Sequence, residues 1–214
     1  MKKSVLFLFV LLIAASLNAQ SIKFGVGGGL ALFQGPESYT KEIPDGIGFA
    51  NAPFLSLKGK LSLPLLPINF TAGFNYLMLS SKGDGNAAPQ LGIPVAYSVE
   101  NSGSIMQISV GAEYSLLPGP LPLKPYASVD VFVNSYSDIT HKYSYKNGTS
   151  GEIKGGSMSR TGIAIGVGAD FTMLPKIDIN VFAKYSFNNM IGKEDKEEAN
   201  NSINFGALIL FSAL

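Results

Sequence analysis

The sequence predicts an all-β fold: an eight-stranded antiparallel up-and-down transmembrane β-barrel with short periplasmic turns and long extracellular loops. Three observations carry this prediction. Hydrophobicity alternates with a period of two along most of the chain, and in a strand that period separates two faces. The connections between alternating segments are by turns short and long, the asymmetry expected of such a barrel. The face opposite the apolar one is mainly Gly, Ala, Ser, Thr and Asn, with few charges and little bulk to form a dry core. A soluble barrel must show water a charged exterior; an apolar outside around a small, polar inside is the membrane solution.

The first element is an export signal. Lys2 and Lys3 precede the uninterrupted apolar run 5–15, and Ser16-Leu17-Asn18-Ala19-Gln20 follows. The run is too short to span a bilayer as a helix, which needs about 20 residues. The three regions together read as a secretory signal peptide over 1–19, leaving 20–214 as the barrel domain. The chain has no cysteine, which removes a disulfide scaffold and a lipid-anchoring Cys from consideration. Its 16 basic and 15 acidic residues give no electrostatic case for a nucleic-acid partner.

Eight strands follow, at 22–33, 54–63, 68–78, 105–116, 126–138, 160–173, 177–187 and 203–213. In the sixth, Thr161, Ile163, Ile165, Val167, Ala169, Phe171 and Met173 alternate with Arg160, Gly162, Ala164, Gly166, Gly168, Asp170 and Thr172. Short turns are marked by proline at 64–67, 118–125 and 175–176, and long loops run at 34–53, 80–104, 140–157 and 188–201.

Lys23, Lys58, Lys60, Arg160 and Lys184 fall on the inner face with Glu113, Asp130, Asp170 and Asp178, five positive charges against four negative. An eight-stranded barrel is only wide enough for side chains to fill it, and unpaired buried charge is costly. A lumen plugged by an ion-pair network is therefore expected. On the outer face, Phe24, Phe70, Tyr114, Phe171 and Phe211 fall near the short turns, and Tyr76, Tyr185 and Phe187 near the long loops. They make two aromatic belts for two membrane interfaces.

One phrase is issued twice: VGAEYSLLP at 110–118 and VGADFTMLP at 167–175. A fainter copy, LKGKLSLP at 57–64, sets a lysine where the others set an acid. That change of sign suggests pairing across the lumen.

With these patterns, the mature chain resembles the small eight-stranded outer-membrane β-barrel proteins of Gram-negative bacteria, of the OmpA/OmpX type. Asn204, Gly206, Ile209 and Phe211 look like that family's C-terminal assembly signal, although the chain ends Ser212-Ala213-Leu214 and not on an aromatic residue. The resemblance implies an outer-membrane location, contact with outer-membrane lipids and lipopolysaccharide, and the barrel-assembly machinery as a partner during biogenesis. Some such barrels modify lipid A with a His, a Ser and a carboxylate. His141, the single histidine, precedes Lys142-Tyr143-Ser144, but no acidic orienter stands beside it.

No catalytic residue, cofactor or metal is expected. Glu194, Asp195, Glu197 and Glu198 lack the spacing of a calcium loop and read as solvated. The glycines of 25–29 lack a phosphate-loop continuation and make room for bulkier neighbours. Residues 125–145 run longer than the 9–11 a tilted membrane strand needs, with a hairpin tip at Asn147-Gly148. The hairpin 125–173 should offer an edge to an extracellular protein partner. The function expected is that of a non-enzymatic integral outer-membrane barrel with a structural or surface-interaction role. The alternatives are a narrow, porin-like channel or conduit for small apolar molecules and, behind it, a lipid A-modifying enzyme.

Overall fold

A computed structural model describes residues 21–43, 45–63, 66–84, 98–117, 122–145, 148–195 and 197–213. The expected signal peptide, the prolines at 64 and 118, Asn147 and Lys196 lie outside them. The strands are β1 (Ser21–Phe33), β2 (Asn51–Ser62), β3 (Ile68–Asp84), β4 (Ser98–Ser115), β5 (Leu123–Tyr136), β6 (Thr140–Ser144), β7 (Ser150–Lys154), β8 (Met158–Leu174), β9 (Ile177–Ile191) and β10 (Asn201–Ser212). One short helix, α1 (Glu37–Thr40), follows β1.

Eight of the strands close on themselves. The hydrogen-bonded order β3-β2-β1-β10-β9-β8-β5-β4 is completed by pairing of β3 with β4, all antiparallel. This is the eight-stranded barrel the alternation predicts. The two additional strands, β6 and β7, extend one wall: β4 pairs with β5 from Ile105 to Ser115 and with β6 from Ser98 to Ser102. The upper parts of β3 and β4 therefore join β6 and β7 in a four-stranded sheet beyond the barrel.

Three sequence expectations need correction. The segments 80–84 and 98–104, expected as loop, are strand, because they leave the two-faced environment whose alternation marked the others and still pair with each other. The loop expected at 140–157 holds β6 and β7, and the long run 125–145, expected with hardly an interruption, is divided between β5 and β6 by a break at 137–139. The interior is also bulkier than a small polar face suggests: Phe54, Tyr126, Phe132, Leu208 and Leu210 are all buried there.

Glycine resolves the difference. Tyr126 lies directly across from Gly168, Phe132 from Gly162, Phe182 from Gly206 and Phe54 from Gly29. A Cβ at Gly168 would stand 2.5 Å from Tyr126 Cζ, and one at Gly29 would stand 2.5 Å from Phe54 Cζ. Each inward ring thus folds over a neighbour that has no side chain. In the 25–29 run, Gly25 and Gly27 face Leu210 and Leu208 in the same manner.

The outer wall carries the opposite chemistry. Ile108, Val110, Val167, Leu55 and Phe24 each leave more than half of their surface uncovered. No Asp, Glu, Lys or Arg occupies an outward position between the two barrel rims among the described residues.

Candidate functional site

The interior divides into layers. Nearest the short turns, Lys23 of β1 forms an ion pair with Asp178 of β9. Above it lies a buried cluster drawn from five strands. Lys60 of β2 meets Glu113 of β4, Nζ to Oε2 at 2.7 Å, and also Asp170 of β8; Lys58 takes the other oxygen of Glu113. Asn180 of β9 donates to Asp170 Oδ1 at 2.6 Å and to the Tyr126 hydroxyl at 2.8 Å. The Tyr126 ring lies 5.4 and 5.1 Å from the two lysine nitrogens, within cation–π range. Lys184 pairs with Asp130 at 2.7 Å.

The repeated phrase thus resolves into one contact. Glu113 and Asp170, the acids of its two full copies, converge on Lys60, the cation of the third. All nine of the expected inward charges are turned inward, but Arg160 stands apart at the long-loop end. It pairs there with Glu194 at 3.2 Å and Glu197 at 2.8 Å from the last loop. Removing Arg160 from the five cations leaves four against the four acids Glu113, Asp130, Asp170 and Asp178.

Partial burial opposes charge on Glu197. Hydrogen bonds from Arg160, from Asn189 and from the Glu194 backbone N–H outweigh it and bring its pKa down to about 2. The cluster expected to be solvated is therefore partly a clamp on Arg160. No group of three metal-ligating side chains exists among the described residues.

A third layer was not anticipated. Asn75, Gln107 and Asn134 lie directly opposite one another on β3, β4 and β5, and their amides bond in series at 2.7 and 3.0 Å. Asn134 continues to the Asn188 backbone oxygen at 3.3 Å, and Asn188 to Ser202 at 3.1 Å. These amides line a chamber of about 60 Å³ that also touches Lys58, Asp130, Lys184, Phe132 and Phe182, room for a few waters. The signal was present in the shared inward parity of the amides, but parity alone does not reveal relative height.

The chamber ends at an apolar layer. Loop 34–50 folds inward, and its Tyr39 and Phe49 are buried with Phe33, Phe54, Leu77, Leu79, Ile105 and Tyr136. Tyr39 meets Phe33 and Phe49 edge-on, with centroids 5.5 and 5.3 Å apart. The loop is latched to the sheet beyond: Ser81 Oγ and Asn101 Nδ2 both donate to the Ile47 oxygen, at 2.5 and 2.8 Å. Asn101 Oδ1 then accepts from His141 Nδ1 at 2.8 Å. Because the Asn101 amide nitrogen is donating, His141 carries its proton on Nδ1, and burial lowers its pKa. Its ring bonds to an amide that holds a loop, and among the described residues no serine or carboxylate is bonded to it.

On the outer wall, Phe24 and Phe211 are cross-strand partners at the short-turn end, where Phe70, Tyr114 and Phe171 are also exposed. At the other end Tyr76 and Phe187 are exposed, and Tyr185 packs edge-on against Phe187 at 5.0 Å. Asn204, Gly206, Ile209 and Phe211 lie on β10; Ile209 and Phe211 face outward, while Asn204 turns inward and donates to Ser186 at 2.8 Å.

No protein-family model and no curated protein sequence matches the chain. Solved structures do. A major outer membrane protein from Thermus thermophilus aligns over 91% of this chain and 99% of its own, with 13% identity and a TM-score of 0.55. Neisserial surface protein A aligns over 90% and 96%, with 14% identity and a TM-score of 0.49. The N-terminal barrel domain of Pseudomonas aeruginosa OprF aligns over 89% and 97%, with 11% identity and a TM-score of 0.43. The chain has the fold of the small eight-stranded outer-membrane β-barrels.

Proposed function

We propose that this is an integral outer-membrane barrel of a Gram-negative bacterium whose lumen is plugged and whose role is structural or a surface interaction. The observation that carries the reading is the division of charge: the wall's charged side chains turn inward, most of them into pairs, and its large exposed side chains are apolar. Backbone groups in lipid must be satisfied within the protein, which a closed barrel does without edges.

The ion-pair cluster and the loop aromatics at opposite ends of the chamber support the plugged lumen. The four-stranded sheet beyond the barrel supports a surface role, since it stands clear of lipid with one strand, β7, at its margin. Lipids and lipopolysaccharide would meet the wall, and the assembly machinery would read β10. A protein partner would meet the 125–173 hairpin.

Refolded protein should resist carbonate extraction from vesicles, change gel mobility on heating, and give no steady conductance in planar bilayers. Recovery in the soluble fraction would sink the membrane reading, and a stable open conductance would favour the channel alternative. Lipid A whose acylation depends on His141 would favour the enzyme.

A further inference from the structure

The charges on the sheet beyond the barrel are ordered. Lys82, Glu100, Lys142 and Glu152 lie directly across from one another on β3, β4, β6 and β7, alternating in sign. Lys82 and Glu100 pair at 2.7 Å. Opposite charges directly across strands stabilise a sheet and like charges destabilise it. The row stops at Glu152, because among the described residues nothing pairs with the outer edge of β7.

That edge has a defined hydrogen-bonding phase. Tyr145 N–H donates to Thr149 O and Gly155 N–H to Ile139 O, each at 2.8 Å. Backbone direction alternates along a strand, so the odd-numbered residues of β7 address β6. Glu152 and Lys154 turn their N–H and C=O groups outward.

Any antiparallel strand added here must set its own outward-turned residues opposite these two. β7 itself meets that requirement in the register centred on Ile153. Glu152 then faces Lys154 of the second copy, Lys154 faces its Glu152, and the two Ile153 side chains meet on the other face. Centring one residue earlier sets glutamate against glutamate, and one later sets lysine against lysine. Glu152 and Lys154 now lie 3.3 Å apart on one chain, with 41% and 65% of their side chains exposed, so both are available for exchange.

We propose that β7 is a self-complementary edge that pairs antiparallel with β7 of a second copy of this chain in a facing membrane. This rests on the outer-membrane reading above. The facing arrangement follows from direction. β4 runs unbroken from this sheet into the barrel, so β7 rises from the membrane as the wall strands do. An antiparallel partner points the other way, which no neighbour inserted in the same bilayer can do. One such contact is small, and many copies on two apposed surfaces would act together.

The test uses the mature chain in phospholipid vesicles, with clustering followed by turbidity. Wild-type vesicles should cluster. Glu152→Lys alone and Lys154→Glu alone should each reduce clustering about tenfold or more, by setting like charges opposite. Mixing the two variant populations should restore it, because lysine at 152 then faces glutamate at 154 and the reverse. Dispersed wild-type vesicles, single variants that cluster as wild type does, or a mixture that stays dispersed would each overturn the pairing. Carbonate resistance and the heat-dependent gel shift are read on every sample. A chain that washes out of the bilayer overturns the membrane reading and this inference with it, whereas inserted but inert protein overturns the pairing alone.

Discussion

Lys60 shows how much one position can depend on residues far away in sequence. It is buried against Glu113 and Asp170, which lie 53 and 110 residues further along the chain. Removing one partner of a buried pair leaves uncompensated charge, commonly worth about 3–5 kcal/mol. Lys60→Met should therefore lower the denaturant midpoint of refolded barrel strongly. The double change Lys60→Met, Asp170→Asn, which leaves Glu113 paired with Lys58, should recover most of the loss, and a double variant no better than the single one would count against the network. These partners were legible because alternation fixes which face each charge occupies. The partners of Arg160 were not: Glu194 and Glu197 belong to a loop whose path no periodicity describes. Glu197 also carries a pH signature. Its folded pKa of about 2 lies below the ordinary glutamate value of 4.5, so its contribution is complete above pH 4.5 and is lost as pH falls through 2. Carboxyl titration by NMR should place Glu197 well below the ordinary glutamate value of 4.5, and Arg160→Gln should return it toward that value.

At the scale of elements, the eight wall strands were legible, but their full lengths and the two strands beyond the barrel, β6 and β7, were not. The lipid-facing part of β3 alternates cleanly from Ile68 to Met78, but the strand continues to Asp84 through Ser80, Ser81 and Lys82. Beyond the barrel neither face contrasts with the other in the same way, so the period fades while the hydrogen bonds persist. Turns offer a separate test. In the β8–β9 hairpin, Lys176 has φ of 73°, a left-handed conformation that costs a non-glycine residue about 1 kcal/mol. Lys176→Gly should stabilise the barrel by about that amount, read as a higher denaturant midpoint. Gly168→Val should do the reverse by about 1–3 kcal/mol, because its Cβ would stand 2.5 Å from both Tyr126 Cζ and Val181 O. Tyr126 could then no longer keep its bond to Asn180.

Across the whole molecule, the proposed plug has two independent parts at opposite ends of a small chamber. The ionic layer could be anticipated because its charges sit on alternating strands. The apolar layer could not, since Tyr39 and Phe49 lie in a loop that composition alone assigns to solvent. Two closures in series make a specific prediction for planar-bilayer recordings. Tyr39→Ala with Phe49→Ala should leave conductance negligible, as should Glu113→Gln alone, while the combined variant should conduct measurably. Conductance from either set alone would mean that one layer does not close the lumen by itself.

The wall also has a seam. β1 meets β10 along eleven residue pairs, from Lys23 with Ser212 to Phe33 with Ser202, joining segments from opposite ends of the chain. Most other neighbours in the wall are close in sequence and can zip as hairpins. Loop-closure entropy grows with separation, and pairing between distant segments is slow. The seam therefore sets the order of events: β1 can form its ladder with β2 early, but its other edge must wait until the final strand arrives. The cylinder shuts last along that line, and an intermediate that is open there is the form an assembly factor would have to hold.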